Sequence, residues 1–155
     1  MDEKAFLELM DLRAIEQLMV RYCDRIDAND PEGAAACFAE DGVGKYWGVF
    51  RGRKEIAERL GKILQSFSAT SHHISNIKID LDGDRATAVS YVYAFHRMAE
   101  TGEATHYWGR WVDRLIKVNG QWLFAERQVV GVGSLEPGDA GRNHPHPGHP
   151  GRLER

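Results

Sequence analysis

A chain of 155 residues, 43% hydrophobic and 28% charged, has the length and composition of one soluble globular domain rather than a disordered segment. At that size roughly 68–70% of the unfolded surface can be buried, so a core can form without disulfides or structural metal. The net charge is −3 with Lys and Arg scattered, which gives no reason to expect nucleic acid or a membrane surface as partner, and no apolar run approaches the ~18 residues of a membrane span.

Leu12, Ile15, Met19, Tyr22 and Ile26 recur at three- and four-residue steps. They predict an amphipathic helix from Asp11, as N-cap, to about Ala28. Asp30 as N-cap and Pro31 at the first helical position open a second, short helix. Ala34, Ala35, Ala36, Cys37 and Phe38 fill it, and Glu40-Asp41-Gly42 stops it. Cys23 and Cys37 thus sit in predicted helices without metal-ligand spacing and are expected to be buried, reduced thiols. The acidic start, MDEKAFLELMD, has no signal-peptide pattern, so the expected location is the cytoplasm.

Residues 43–51 form a predicted strand rich in Gly and aromatics, and residues 53–65 a third helix with Ile56, Leu60, Ile63 and Leu64 on one side. The texture then changes. Strands are predicted over 72–81, 85–98, 105–118 and 121–132, separated by Asp82-Gly83, Thr101-Gly102-Glu103 and Asn119-Gly120, the last a strong two-residue hairpin signal. Helices followed by an antiparallel meander give an α+β class: three N-terminal helices wrapping a strongly curved, mostly antiparallel sheet, a cone with an internal pocket. The domain is assigned to residues 1–135. Residues 136–155 are a Gly/Pro/His-rich tail that cannot build a core and is expected to lie against its own domain or a neighbouring subunit.

Several residues have the chemistry to act in such a pocket. Asp27 closes the first helix, where a carboxylate meets the negative end of the macrodipole at a cost of some tenths of a kcal/mol, so helix stability did not place it there. His72 and His73 are neighbours on a strand, so only one can face inward. Tyr22 and Tyr46 are phenols able to polarise a carbonyl or hold a leaving oxygen. Trp47, Trp108 and Trp111 are expected as pocket walls or subunit contacts. His96 is a candidate second acid/base, and Arg110 with Asp113 is expected to be a structural ion pair. A metal site from His72, His96, His106 and Asp27 is disfavoured by the absence of HxH or HxxxH spacing on any one element, and the tract His144, His146, His149 is broken by prolines. There is no GxGxxG after a strand, no P-loop and no GxSxG elbow, so neither metal nor cofactor is expected.

The stretches AIEQLMVRYCDRIDANDPEGAAACFAEDG, GVFRGRKEI, SHHISNIKIDLDGDRATAVSYVYAFHR and GRWVDRLIKVNGQWLFAERQVV resemble the SnoaL-like branch of the nuclear transport factor 2 superfamily over roughly residues 11–132. That superfamily includes scytalone dehydratase, hexachlorocyclohexane dehydrochlorinase, bile-acid dehydratase, steroid isomerase, aldol-type cyclases and catalytically silent binding domains. The resemblance implies that Asp27 pairs with His72, with Asn76 beside them, and that Arg127 lies inside the cone. The expected function is a cofactor-independent lyase in which Asp27 orients His72 as general base while Tyr22 and His96 assist, with Tyr46, Trp47, Asn76 and Arg127 binding substrate. The substrate is expected to be a small, hydrophobic, aromatic compound undergoing catabolism. Dehydration is the first choice, with loss of formaldehyde or of halide using the same parts. An isomerase or cyclase, a non-catalytic binding or assembly domain, and an oxygenase small subunit are the alternatives. The covered sheet face leaves an apolar face opposite, so a homodimer or homotrimer is expected.

Overall fold

The computed structural model describes residues 2–136 and 142–143. Helix α1 spans Glu3–Asp27 and begins earlier than the apolar periodicity predicts. Asp2, not Asp11, is the N-cap, its Oδ1 accepting the Ala5 N–H at 2.7 Å. The first turns escape a periodicity argument because their large apolar residues, Phe6, Leu7, Leu9 and Met10, are exposed, and burial starts only at Ile15. Asp11 instead accepts from the Trp122 indole at 2.9 Å and pairs with Lys117 at 2.7 Å, which ties the middle of α1 to a distant hairpin.

The end of α1 is sharply defined. Asn29 adopts φ 54°, the Asn29 N–H bonds to the Ile26 carbonyl and the Asp30 N–H to the Arg25 carbonyl, which is a Schellman closure. Asp27 is therefore the last helical residue. Helix α2, Pro31–Ala35, opens as predicted, with the Asp30 side chain accepting the Gly33 N–H at 2.8 Å. It ends before Cys37, and Phe38 begins strand β1 (Phe38–Lys45). The single strand predicted over 43–51 is thus two, β1 and the short β2 (Val49–Arg51), followed by α3 (Gly52–Leu64). Glu40-Asp41-Gly42 does not stop a helix. It lies in an irregular part of β1, where a Cβ at Gly42 would stand 2.9 Å from the Phe124 carbonyl oxygen.

Strands β3 (Phe67–Asp82), β4 (Arg85–Met98), β5 (Ala104–Val118) and β6 (Gln121–Leu135) form the predicted meander. Asn119 and Gly120, at φ 51° and 77°, make the last hairpin turn, while the β3–β4 turn is Gly83-Asp84, one residue later than predicted. The sheet is mixed, in the order β2-β1-β6-β5-β4-β3, because β1 runs parallel to β6. Strand β7 (Arg142–Asn143) pairs with β6 at Gly133 and Ser134. The rest of the predicted tail, including His144, His146 and His149, lies outside the described residues.

Register shifts in β3 between Ser75 and Lys78, and in the β5–β6 pairing at Trp108/Gly109 and Arg114/Leu115, bend these long strands into a cone. The helices cover the concave face. Ile15, Leu18, Met19, Ile26, Ile56 and Leu60 pack with Phe38, Leu115 and Phe124 at the closed end. Among the described residues no helix is long and apolar enough to cross a membrane.

Candidate active site

The strand period of two and the pairing register determine which side chains meet inside the cone. His72, Ala94, Tyr107 and Ser134 occupy one rung across β3, β4, β5 and β6. Thr70, His96 and Thr105 occupy the rung on one side of it, and Ile74, Val92, Gly109 and Gly131 the rung on the other. The first two rungs and Val92 of the third, with Ile26 of α1 and Leu60, Ile63 and Leu64 of α3, line a cavity of about 660 Å³. Its exposed wall area is mostly apolar, interrupted by tyrosine, histidine and threonine groups, which suits a small-molecule site.

Asp27 and His72 meet at its wall. His72 Nδ1 lies 2.7 Å from Asp27 Oδ1, the His72 backbone N–H donates to Oδ2 at 2.8 Å, and the Thr70 hydroxyl donates to Oδ1 at 2.8 Å. Burial works to raise the Asp27 pKa. The His72 ring and backbone N–H, with Thr70, outweigh it, and the net pKa is lowered. An ionised carboxylate only accepts, so Nδ1 carries the proton and the Nε2 lone pair is left as the basic site. Trp111 stacks on the imidazole at 6.3 Å and 21°. His73 faces out, its Nε2 3.0 Å from the Ser71 hydroxyl.

Tyr22 and Tyr46 bring their hydroxyls together at 2.6 Å on the cavity wall. Burial pushes the Tyr22 pKa up to about 12, against the opposing pull of Arg127 and the Tyr46 hydrogen bond, and burial raises Tyr46 well above its usual value. Both are neutral hydroxyls at pH 7. His96 lines the same cavity, stacked on Phe67 at 4.5 Å and edge-on to His72 at 5.4 Å. Burial, and then the nearby His72, lower its pKa to about 4, with Asp27 opposing. His96 is therefore a neutral hydrogen-bonding group, not a reservoir of acid. Trp47 stands at the rim, 74% exposed.

Two expected substrate contacts are elsewhere. Asn76 does not line the cavity. It is an exposed residue at φ 50° in the β3 bulge, a left-handed conformation that Asn tolerates. Arg127 lies inside the cone but has no exposed surface. Its Nε and Nη2 donate to Asp113 at 2.9 and 2.8 Å, and its guanidinium carbon sits 3.9–4.6 Å from the Phe124, Trp111 and Tyr22 ring centroids. It props the site from behind rather than touching a ligand. The expected Arg110–Asp113 pair does not form, because residues three apart on a strand face opposite sides. Arg110 instead lies over Tyr91 on the outer face. Trp108 also faces out, whereas Trp111 lines the cavity.

Sequence reasoning missed Thr70 and Tyr107. Thr70 is two residues before His72 and so shares its face, a signal that was available. Cys23 and Cys37 are buried free thiols, and burial pushes the Cys23 pKa up to about 12. Among the described residues no group of three or more His, Cys, Asp or Glu side chains is placed to hold a metal ion, and His106 is engaged by the Tyr93 hydroxyl at 2.8 Å.

A family model for the SnoaL-like domain matches residues 7–128. An uncharacterized protein of Mycobacterium tuberculosis is 31% identical over 111 residues, 68% of this chain and 74% of that protein. A solved structure from Novosphingobium aromaticivorans, provisionally named a scytalone dehydratase, is 33% identical, covers 92% of this chain and 96% of that one, and superposes with a TM-score of 0.81. A hexachlorocyclohexane dehydrochlorinase shares the fold, with a TM-score of 0.79 at 16% identity over 92% of this chain and 97% of that one.

Proposed function

The chain belongs to the SnoaL-like domain family of the nuclear transport factor 2 superfamily, and from that premise we propose that it is a cofactor-independent lyase acting on a small, hydrophobic, aromatic substrate, with loss of water as the reaction. The observation that carries this is the Asp27–His72 contact, 2.7 Å between Oδ1 and Nδ1, at the wall of an open apolar cavity. The names of two structural relatives, a dehydratase and a dehydrochlorinase, both describe eliminations, which supports the same reaction type.

His72 Nε2 removes a proton from a carbon next to a carbonyl, and that electron pair forms the new C=C bond. The neighbouring C–O bond breaks with its electrons on oxygen. The imidazolium, steadied by Asp27, returns its proton to the departing hydroxide, so water leaves and His72 is restored to the neutral base. One hydroxyl of the Tyr22–Tyr46 pair donates to the carbonyl oxygen as charge builds there, while its own oxygen accepts the hydroxyl of the other. His96, held neutral, orients the departing oxygen. A positioned base is worth about 10²–10⁴ in rate. The test is a screen of neutral cyclic and bicyclic β-hydroxyketones for loss of water, followed by ultraviolet absorbance of the conjugated product. Turnover that vanishes in folded His72→Gln supports the proposal, and turnover that His72→Gln leaves intact refutes it.

A further inference from the structure

Tyr107 shares a rung with His72, two strands away across Ala94. Two strand spacings place their backbones about 10 Å apart, with only a methyl group between them. The Tyr107 ring does not stand up from the sheet. It leans along the next rung, over Gly109 and Gly131, which pair with each other. A Cβ at Gly109 would stand 2.8 Å from Tyr107 Cε1 and 3.0 Å from its hydroxyl, and a Cβ at Gly131 would stand 3.0 Å from the same hydroxyl. Neither glycine has a positive φ; a Cβ at Gly109 would also meet the Val130 carbonyl oxygen at 2.8 Å, whereas at Gly131 the Tyr107 ring alone stands in the way. The two glycines form a saddle that seats the phenol.

Tyr107 lines the cavity, and burial alone raises its pKa, with no hydrogen bond or charge from the described residues acting on it. A phenol can donate and accept, and a half-buried one without a partner offers both capacities to a ligand oxygen. Among the described residues the lining carries no Lys or Arg, and its exposed rim carries Glu103 and Glu136, which disfavours an anionic ligand.

We propose that Tyr107, seated on the Gly109/Gly131 saddle, is a specificity-determining contact that hydrogen-bonds a second oxygen of the substrate, remote from the one handled at His72. The substrate class is then a neutral ring compound carrying oxygen at both ends. This rests on the cavity being the substrate site, as under the lyase proposal, but not on the reaction.

The test uses two probes, 2-naphthol and 2,6-dihydroxynaphthalene, titrated calorimetrically into the full chain. The wild type is expected to bind the dihydroxy probe about 2–10-fold more tightly, the range of one net hydrogen bond. Tyr107→Phe removes that preference and leaves 2-naphthol binding within twofold. Gly131→Ala, which displaces the hydroxyl without removing it, does the same. A preference that survives Tyr107→Phe, an equal loss for both probes, or no preference in the wild type overturns the proposal. His72→Gln separates the two proposals: it abolishes turnover if the lyase assignment holds, and it keeps the Tyr107-dependent preference whether or not that assignment holds.

Discussion

Replacing Asp113 by Asn removes the negative half of an ion pair that has no exposed surface on either side. Asp113 accepts two hydrogen bonds from Arg127, at 2.9 and 2.8 Å, and Arg127 Nη1 already has no partner among the described residues. Burial raises the Asp113 pKa and the guanidinium opposes that rise, while Arg127 itself is held protonated by the carboxylate despite its own burial. The Asp113→Asn variant leaves a full positive charge among the Tyr22, Trp111 and Phe124 rings with one neutral acceptor. Breaking such a pair costs about 3–5 kcal/mol, whereas replacing both partners with apolar groups of similar volume is often neutral. For a domain of this size, at about 2–4 °C per kcal/mol, the single variant should melt roughly 6–20 °C below wild type. Thermal unfolding by circular dichroism of wild type, Asp113→Asn and Asp113→Leu/Arg127→Met is the assay. The double variant should recover most of the loss. A melting point for Asp113→Asn within about 2 °C of wild type would refute the claim that this pair is buried and coupled.

His96 should make stability fall in mild acid. Its folded pKa is lowered from 6.5 to about 4, so the unfolded chain binds more protons in that interval; the contribution is full above pH 6.5 and is lost toward pH 4, an upper bound of about 3 kcal/mol. Urea unfolding at several pH values should show that slope, and His96→Phe should flatten it; an unchanged slope would contradict the burial assigned to this ring. Gly42→Ala should cost about 1–3 kcal/mol, because the added methyl meets the Phe124 and Ala39 carbonyl oxygens at 2.9 and 3.0 Å, and wild-type stability in denaturant would count against that packing. The outer sheet face exposes Tyr91, Trp108 and Val132, and we propose that it is covered in a homodimer or homotrimer. Sedimentation velocity should give an oligomer that Trp108→Glu dissociates, and a wild-type monomer at micromolar concentration would end that proposal.

The meander was legible because its signals are local. Asn119-Gly120 dictates a hairpin, and alternation through AVSYVYAFHR orients a strand. The opposition of His72 and His73 follows from the strand period, and the register then places His72 inside. The early part of α1 was hidden because Phe6, Leu7, Leu9 and Met10 face solvent, which no periodicity argument anticipates. The boundary between α2 and β1 was hidden because Phe38 is claimed by a parallel pairing with β6, a contact of long sequence range. Asn76 and Arg127 share one cause. The family resemblance suggested their roles, but a bulge and a buried carboxylate, both products of the folded sheet, decide where they lie. Tyr107 could not be found from its own neighbourhood, since one half of its seat, Gly131, is on another strand.

The dyad remains the most direct point of test. Turnover of a dehydration substrate should be measured for wild type, Asp27→Asn, His72→Ala and the double variant, each verified as folded by circular dichroism. His72→Ala should lower turnover by about 10²–10⁴, and the double variant should lose little more than the worse single one, because the two side chains act as one base. Near-normal turnover in folded His72→Ala, or losses that simply multiply in the double variant, would contradict the assignment of Asp27 and His72 as that base.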